Sequence, residues 1–357
     1  MAYTRFNEED VIVGNVVQGV TSTLFSNNAS SLTAFHTSSA QTASVGGPYQ
    51  YEIYNLNPAS ETTAEVQFSI AYGHFKGSGS LRQTGASVGN SPTKAVYSQF
   101  RNLLLDDPTD TTAFVDAEST GHGRMIFLTM NRSRFKQGIN AGNWELHLSG
   151  SQGLSNTYAR GSPLKLIDDS SVSDGNTVNG HLVYNIVSGS ETEGCYTDGS
   201  GNKHYWGLFY PELGILAFSG NKIFTSTGPQ SGDGLELGYS DSANSDDRMT
   251  RKFYDALNRG KFFSIRAEED VSSTHYFVRV KNSQYNYSTN HTYQRTGSNG
   301  EINGQLLHNS FIQNPQTFIT TVGLYNDFNE LLATAKLSKP LLKNFERETT
   351  IRIKLDH

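Results

Sequence analysis

Alternating apolar and polar residues predict β-strands along most of the chain. In a half-buried strand successive side chains point to opposite faces, so every second residue is apolar. In NWELHLS (143–149), this rule puts Trp144, Leu146 and Leu148 on one face. The same alternation occurs in AEVQFSIAY (64–72), RMIFLTMN (124–131), HLVYNIVS (181–188), KFFSIRAE (261–268) and THYFVRVK (274–281). The pattern predicts a mainly β protein made of antiparallel sandwich or meander units.

One segment, NSPTKAVYSQFRNLLLDDP (90–108), has helical spacing instead. Ser91 suits the N-cap, Pro92 suits the first helical position, and Pro108 ends the segment. The apolar stripe that this helix would turn toward a sheet consists of Val96, Phe100, Leu103 and Leu104. The sequence therefore predicts a short helix here.

A second helix is predicted in SDDRMTRKFYDALNRGK (245–261). Ser245 can cap its start, and Gly260 can stop its last turn. Met249, Phe253 and Leu257 recur every four residues and form the stripe that packs on a sheet.

The C-terminus reads as a regular β pattern. Phe318–Tyr325 makes one strand, NDFN (326–329) turns, and ELLATAKLS (330–338) returns, with Pro340 ending the pairing. TTIRIKLD (349–356) then adds a third strand, whose two faces carry Ile351, Ile353 and Leu355 on one side and Arg352 and Lys354 on the other. These three strands predict an antiparallel meander.

Long polar stretches separate the predicted elements, and loops of such length are uncommon in an isolated domain. In a subunit of an assembly they become ordered against neighbours. The predicted organisation is an N-terminal arm with the first strands (1–60), a central β-rich region (61–225), a loop and helix (226–260), and a C-terminal β-domain with the terminal hairpin or meander (261–357).

Composition agrees with a β-rich protein that needs neither metal nor disulfide to fold. The chain has 357 residues, an apolar fraction of 36% and a mean hydropathy of -0.48, which is low for an enzyme of this size. Cys195 is the single cysteine, so it cannot close an intramolecular disulfide and is expected to be a half-buried apolar residue. The start lacks a signal-peptide pattern, and WGLFYPELGILAF (206–218) is too short to span a bilayer. We therefore expect folding in a reducing cytosol and no membrane insertion.

Charge argues against nucleic acid as a partner. With 28 basic and 34 acidic side chains the net charge is -6, which repels phosphates. NRSRFK (131–136) sets Phe135 among Arg132, Arg134 and Lys136. This cluster is interpreted as the solvated end of a strand, with a base-stacking patch as the alternative.

Candidate chemistry is sparse. The glycines of GHFKGSGS (73–80), Gly77 and Gly79, lack the context of a phosphate loop and indicate a sharp turn or bulge. Acidic residues that could supply oxygen ligands to a cation are Asp168, Asp169, Asp174, Asp198, Asp241, Asp246 and Asp247, but none follows the EF-hand order. Glu268, Glu269 and Asp270 could act as paired hydrolytic carboxylates, although a solvated strand end is the default. We therefore expect no catalytic residue, metal, cofactor or small-molecule substrate.

Aromatic residues are concentrated in KHYWGLFYP (203–211), which contains Tyr205, Trp206, Phe209 and Tyr210. Three roles are open for this segment: the core of a β-domain, a subunit interface, or a platform for a sugar.

At the C-terminus the chain resembles a known group of proteins. ITTVGLYNDFNELLATAKLSKPLLK (319–343) resembles a segment of structural proteins of tailed bacteriophages, including tail-fibre attachment and baseplate components, and FERETTIRIKLD (345–356) fits the same ending. FFSIRAEEDVSSTHYFVRVKNSQYNYSTN (262–290), FSIAYGHFKGSGS (68–80) and YSQFRNLLL (97–105) are similar to virion proteins of contractile-tailed phages that infect marine and cyanobacterial hosts. The terminal segment is used in several virion proteins and carries no catalytic motif.

The resemblance implies a non-enzymatic virion subunit of the baseplate, tail or neck, assembled in the host cytoplasm and bound to other virion proteins and to copies of itself. The candidate attachment residues are Phe318, Leu324, Tyr325, Leu331, Leu337, Tyr205, Trp206 and Tyr210. Two alternatives remain: a receptor- or glycan-binding protein at a tail tip or fibre attachment, and a polysaccharide depolymerase using the carboxylates of residues 268–270.

Overall fold

The structure is a computed structural model that describes residues 6, 8–38, 50–77, 92–105, 114–115, 121–150, 163–197, 200–224 and 249–356. The chain forms two compact units: a central unit of residues 20–269 and a terminal unit of residues 1–19 with 270–357. The fold is mainly β and antiparallel, as the alternation predicts. The four-part division at residues 60, 225 and 260 stays a prediction.

Strands make up most of the described chain. They are β1 (Val11–Thr23), β2 (Ser31–Leu32), β3 (Gln50–Tyr54), β4 (Val66–His74), β5 (Phe114–Val115), β6 (Gly121–His122), β7 (Arg124–Met130), β8 (Gly138–Leu148), β9 (Leu164–Asp168), β10 (Asn176–Val178), β11 (His181–Ser190), β12 (Gly194–Cys195), β13 (Tyr205–Tyr210), β14 (Ile215–Ser219), β15 (Phe263–Val280), β16 (Gln294–Thr296), β17 (Ile302–Leu306), β18 (Thr317–Tyr325), β19 (Leu331–Lys343) and β20 (Thr349–Asp356). The helices are α1 (Pro92–Leu104), α2 (Gly220–Phe224), α3 (Met249–Gly260) and α4 (Ser310–Gln313).

The central unit is organised around one large antiparallel sheet. Its strands follow the order β15-β8-β9-β11-β13-β14-β7-β4-β3, and β15 enters this sheet through its first residues. Strand β2 pairs with the start of β15, and β10 and β12 pair with β11. Neighbours in space are often distant in sequence, as in the pairing of Phe263 with Leu146.

Strand β7 shows that this sheet is covered on both faces. Ile126 and Leu128 belong to one buried cluster, whereas Met125 and Phe127 belong to another. Since consecutive side chains of a strand point to opposite faces, the two clusters lie on opposite sides of the sheet. The half-buried strand predicted for RMIFLTMN is therefore wrong: its apolar residues are buried on both faces.

Helix α1 covers one face and joins the second cluster through Val96, Tyr97 and Leu104. The predicted stripe is correct at Val96 and Leu104, which are buried, and at Phe100, which is half-buried and packs against this cluster. It is wrong at Leu103, which is exposed, and it lacks Tyr97, which is buried. Ser91 and Pro108, the predicted boundaries, lie outside the described residues.

Helix α3 contributes to the first cluster. Met249, Phe253 and Leu257 are all buried, so the predicted stripe is confirmed. The helix ends at Gly260, as predicted, and the left-handed residue that follows it is Lys261, with a φ of 55°. The predicted cap Ser245 lies outside the described residues.

The terminal unit contains β1 up to Gly19, the later part of β15, and β20. Strands β20 and β15 are antiparallel, with Ile351 opposite Val278 and Ile353 opposite Tyr276. Thr274 donates through Oγ1 to Asn15 Oδ1 at 3.1 Å, and Lys281 Nζ lies 2.7 Å from Asp10 Oδ2. The lower-numbered residue on the β1 side contacts the higher-numbered residue on the β15 side, so these two strands are also antiparallel.

The hairpin β18–β19 is a two-stranded sheet of its own, so the predicted three-stranded meander is wrong. β20 pairs with β15 instead, because burial of Ile351 and Ile353 beside Val278 and Val280 joins their apolar faces. Pro340 does not end β19, which continues to Lys343. The register changes from Ile319↔Leu341 to Thr321↔Lys336, and the proline lies in the irregular stretch between them.

Candidate functional site on the terminal hairpin

The outer face of the terminal hairpin exposes large apolar side chains. Phe318, Tyr325 and Leu331, which the sequence proposed as attachment residues, are all exposed. Sequence reasoning missed two others on the same hairpin, Phe328 and Leu332, which are 85% and 68% exposed. The available signal was a phenylalanine in the middle of the polar turn NDFN. Isolated exposed apolar residues are ordinary, but several on one hairpin indicate a contact surface.

The inner face holds the hairpin in place. Ile319, Val322 and Leu324 of β18 pack, together with Leu337 and Leu341 of β19, on the buried cluster of Val278, Val280, Ile351 and Ile353. Leu324 and Leu337, two further attachment candidates, are therefore half-buried within the terminal unit. Both leucines pack on the buried cluster and hold the hairpin in place, so neither is an exposed attachment residue.

Asn326 organises the turn at the tip. Its Oδ1 accepts hydrogen bonds from the backbone N–H of Phe328 at 3.0 Å and of Glu330 at 2.8 Å. Asn329 adopts a left-handed φ of 62° and donates its N–H to the carbonyl of Asn326. A short polar side chain that satisfies the backbone in this way stabilises a tight turn. The turn thus presents Phe328 from an ordered backbone.

Two side chains fix the base of the hairpin by hydrogen bonds. Thr317, opposite Lys343 in the register, donates through Oγ1 to the carbonyl of Tyr285 at 2.7 Å. Lys343 is fully buried, and its Nζ donates to Asn282 O, Asn286 Oδ1 and Asn344 O at 2.8, 3.0 and 2.8 Å. Burial lowers the pKa of this ammonium, and the three oxygens satisfy its three donors.

Replacing Lys343 with methionine is expected to loosen the hairpin. The carbonyl of Asn282 keeps its hydrogen bond from Asn286 Nδ2, but Asn286 Oδ1 and Asn344 O, both on half-buried residues, lose the lysine donor. An unsatisfied polar group in the interior costs about 1–3 kcal/mol. We expect the free energy of unfolding of the terminal unit to fall by about 3 kcal/mol, measured by urea denaturation with hydrogen exchange of the β18 amides.

Lys339→Met is the matched control, because Lys339 is an exposed lysine of the same strand. A surface change of this kind stays within about 0.5 kcal/mol. Equal effects of the two substitutions would contradict an anchoring role for Lys343.

The aromatic segment of β13 is core. Trp206 and Tyr210 are fully buried, so as attachment residues they are wrong. Trp206 donates through Nε1 to Ser188 Oγ at 3.0 Å, and Phe209 lies edge-on to Trp144 with ring centroids 5.5 Å apart. Tyr205 is half-buried. Burial on both faces of the sheet removes the two rings from any surface for a sugar or a subunit.

The basic cluster is held by partners in its own unit. Arg134 Nη2 lies 2.6 Å from Glu65 Oε2, and Lys136 Nζ lies 2.8 Å from Glu269 Oε1. Phe135 is buried, and the guanidinium of Arg132 lies over its ring at 4.6 Å. With its ring covered, this cluster offers no base-stacking platform.

The buried carboxylates serve the backbone. Asp168 accepts from the N–H groups of Gly142 and Ser170, and Asp169 accepts from the N–H and the side-chain amide of Asn185, all within 2.8–2.9 Å. Within the described residues no group of three or more His, Cys, Asp or Glu side chains could hold a metal ion. Asp198, Asp241, Asp246 and Asp247 lie outside those residues.

The carboxylates of residues 268 and 269 are held apart by different partners. Glu268 Oε2 accepts from the side-chain amide of Asn140 at 2.7 Å, while Glu269 pairs with Lys136. Consecutive residues of a strand face opposite sides, so the two carboxylates do not face each other. The predicted location at a strand end is wrong, because residues 268–270 lie inside β15. Burial raises the pKa of the Cys195 thiol, which disfavours the nucleophilic thiolate.

Gly77 confirms the predicted sharp turn. Its φ is 87°, and its N–H donates to the carbonyl of His74 at 2.9 Å. Only glycine adopts such a φ without strain. Gly79, the other glycine of this motif, lies outside the described residues.

Comparison of the chain with protein-family models, with curated proteins and with solved structures gave no match. Within the described residues, no helix combines the length and the apolar character that crossing a lipid bilayer requires.

Proposed function

We propose that this chain is a non-enzymatic structural subunit of a tailed-phage virion, in the baseplate, tail or neck, and that the outer face of the hairpin β18–β19 binds a neighbouring subunit. The observation that carries the proposal is a set of five exposed apolar side chains on an anchored hairpin. This hairpin is also the segment in which the sequence resembles virion proteins.

The form of the hairpin suits attachment. Apolar groups exposed on an ordered element lose little conformational freedom on binding, so more of their burial contributes to affinity. Phe328, at the tip of a turn held by Asn326, has the size and position of an interface anchor. Its 85% exposure in the single chain leaves most of its surface available to a partner.

The other candidate chemistries give less support. The carboxylates that could have formed a hydrolytic pair are engaged by Asn140 and Lys136, and the rings of Trp206 and Tyr210 are buried. The proposal therefore assigns binding to the hairpin and assigns stability to the central unit.

The test is a phage whose own copy of this chain carries Phe318→Ser and Phe328→Ser. We expect at least about a tenfold lower amount of the chain in purified particles, measured by quantitative mass spectrometry, because the hairpin loses its two most exposed rings. The purified variant should keep the thermal midpoint of the natural chain, since both side chains are exposed.

Thr320→Ser with Thr334→Ser is the control, because both threonines are exposed on the same hairpin. Normal incorporation of the phenylalanine variant would contradict the role of the hairpin. Absence of the natural chain from purified particles would overturn the virion assignment itself.

A further inference from the structure

Strand β1 is an open edge with unusual composition. It is 13 residues long, lies next to β15, and has no partner on its other edge in the part of the chain that the structure describes. An edge strand of this kind presents unpaired N–H and C=O groups, ready for another strand. At about 3.4 Å per residue the edge extends over about 44 Å.

Both faces of this strand are uncovered. Ile12, Val13, Val16, Val17 and Val20 are 46 to 67% exposed. Because successive side chains alternate, Ile12, Val16 and Val20 share one face, and Val13 and Val17 share the other. Each face therefore carries a row of exposed apolar side chains, and such rows on an ordered strand indicate an interaction site.

The strand also lacks the features that block edge pairing. Residues 11–23 contain no charged residue and no proline, two of the devices by which natural edges avoid other strands. The nearest acidic groups are already used, since Asp10 is buried and paired with Lys281. The edge is open in geometry, apolar in character and neutral in charge.

We propose that β1 pairs antiparallel with β1 of a second copy of this chain, about a two-fold axis that passes beside Val16. A two-fold contact requires a surface that complements itself. Ile12 and Val20 lie four residues on either side of Val16 on the same face, so the axis sets Ile12 opposite Val20 and Val16 opposite Val16. Such pairs of β-branched side chains stabilise neighbouring strands.

Neutrality favours a second copy over a different partner. Near a two-fold axis each charge meets its own like charge, so a self-pairing strand must be uncharged there, whereas a strand made for a different partner would gain from charges that complement it. In this register Asp10 lies opposite Ser22, so the acidic groups of the two copies stay apart. The inference concerns a surface distinct from the hairpin and does not rest on the virion proposal.

Disulfide trapping of the full-length chain tests the register. In a Cys195→Ser background, Val16→Cys sets two thiols directly opposite each other, where Cα atoms of paired strands are about 4.5–5.5 Å apart, within disulfide range. We expect mild oxidation to convert most of this variant to a covalent dimer on a non-reducing gel. Val20→Cys in the same background should not cross-link, because its thiols are eight residues apart along the pair, about 27 Å.

The controls are Val172→Cys, a similarly exposed valine outside β1, and light scattering of the natural chain over a range of concentrations. Val16→Lys should raise the dimer dissociation constant by more than about tenfold, because the two ammonium groups would face each other. The proposal would be overturned if the natural chain stayed monomeric. It would also be overturned if Val16→Cys and Val172→Cys formed covalent dimers to the same extent. Equal cross-linking of Val16→Cys and Val20→Cys would overturn the register, and protection of β1 only within particles would assign the edge to a different partner.

Failure of this dimer and failure of the virion role are separate results. The first is measured on purified chain and the second on purified particles, and the variants affect different strands.

Discussion

Replacing Gly260 with alanine is expected to remove roughly 2–5 kcal/mol from the stability of the central unit. An alanine Cβ at this position would lie 2.0 Å from the carbonyl oxygen of His147 and 2.5 Å from its carbonyl carbon. Backbone on both sides prevents the overlap from being relieved by a rotamer change, and the last turn of α3 would have to move away from β8.

Two opposing effects decide the size of this change. Alanine is the better helix former by about 1 kcal/mol, which favours the substitution. Separating α3 from β8, however, would break the hydrogen bond from Ser149 N–H to Ala256 O and would partly expose Phe253 and Leu257. Exposing two such core side chains costs roughly 3–6 kcal/mol, so destabilisation prevails.

Circular dichroism and urea denaturation of Gly260→Ala provide the measurement. Gly297→Ala is the control, because the nearest atom to its added Cβ is 3.6 Å away, an ordinary contact. We expect the control to stay within about 1 kcal/mol of the natural chain. A Gly260→Ala protein as stable as this control would mean that α3 does not pack closely on β8.

Replacing Trp144 with alanine is expected to remove about 3–5 kcal/mol of stability. Trp144 is fully buried, contacts Phe209 edge-on, and belongs to the larger core cluster of the central unit. Its removal would leave a large cavity between strands that backbone pairing holds in place, so the core could collapse only in part.

The other tryptophan, Trp206, is also buried and reports unfolding by its fluorescence in this variant. The midpoint in urea should shift strongly for Trp144→Ala, less for Trp144→Phe, and hardly for Val172→Ala at an exposed site of the same unit. A Trp144→Ala midpoint equal to that of Val172→Ala would disprove the assignment of Trp144 to the core.

Local elements of this fold can be predicted from the sequence because their signals are local. The alternation in NWELHLS and the fourfold spacing of Met249, Phe253 and Leu257 correspond to β8 and α3. Fully buried strands are harder to interpret, because both faces of such a strand are apolar and the alternation disappears. In β7, Ile126 and Leu128 pack on one face, and Met125 and Phe127 pack on the other.

Pairing between distant segments could not be predicted. Strand β20 has the same alternation whether it pairs with β19 or with β15, and only the shape of the apolar cluster around Val278 and Val280 selects β15. Only part of the candidate site could be predicted, because side-chain exposure also depends on how the strands pair. Alternation predicts the strands that carry Phe318, Tyr325 and Leu331, but the exposure of both Phe318 and Tyr325 depends on the register shifts of the hairpin. The outward direction of Phe328 depends on how Asn326 bonds the turn.

The uncharged edge of β1 makes overproduced chain prone to aggregation. A long apolar strand with free backbone groups can start fibrillar stacking as readily as it can pair with one partner. A two-fold pairing uses up that edge on both copies, so growth ends at two. Overproduced chain in which this pairing fails would keep the edge open, and we expect insoluble material to nucleate from residues 11–23 before any other part of the molecule unfolds.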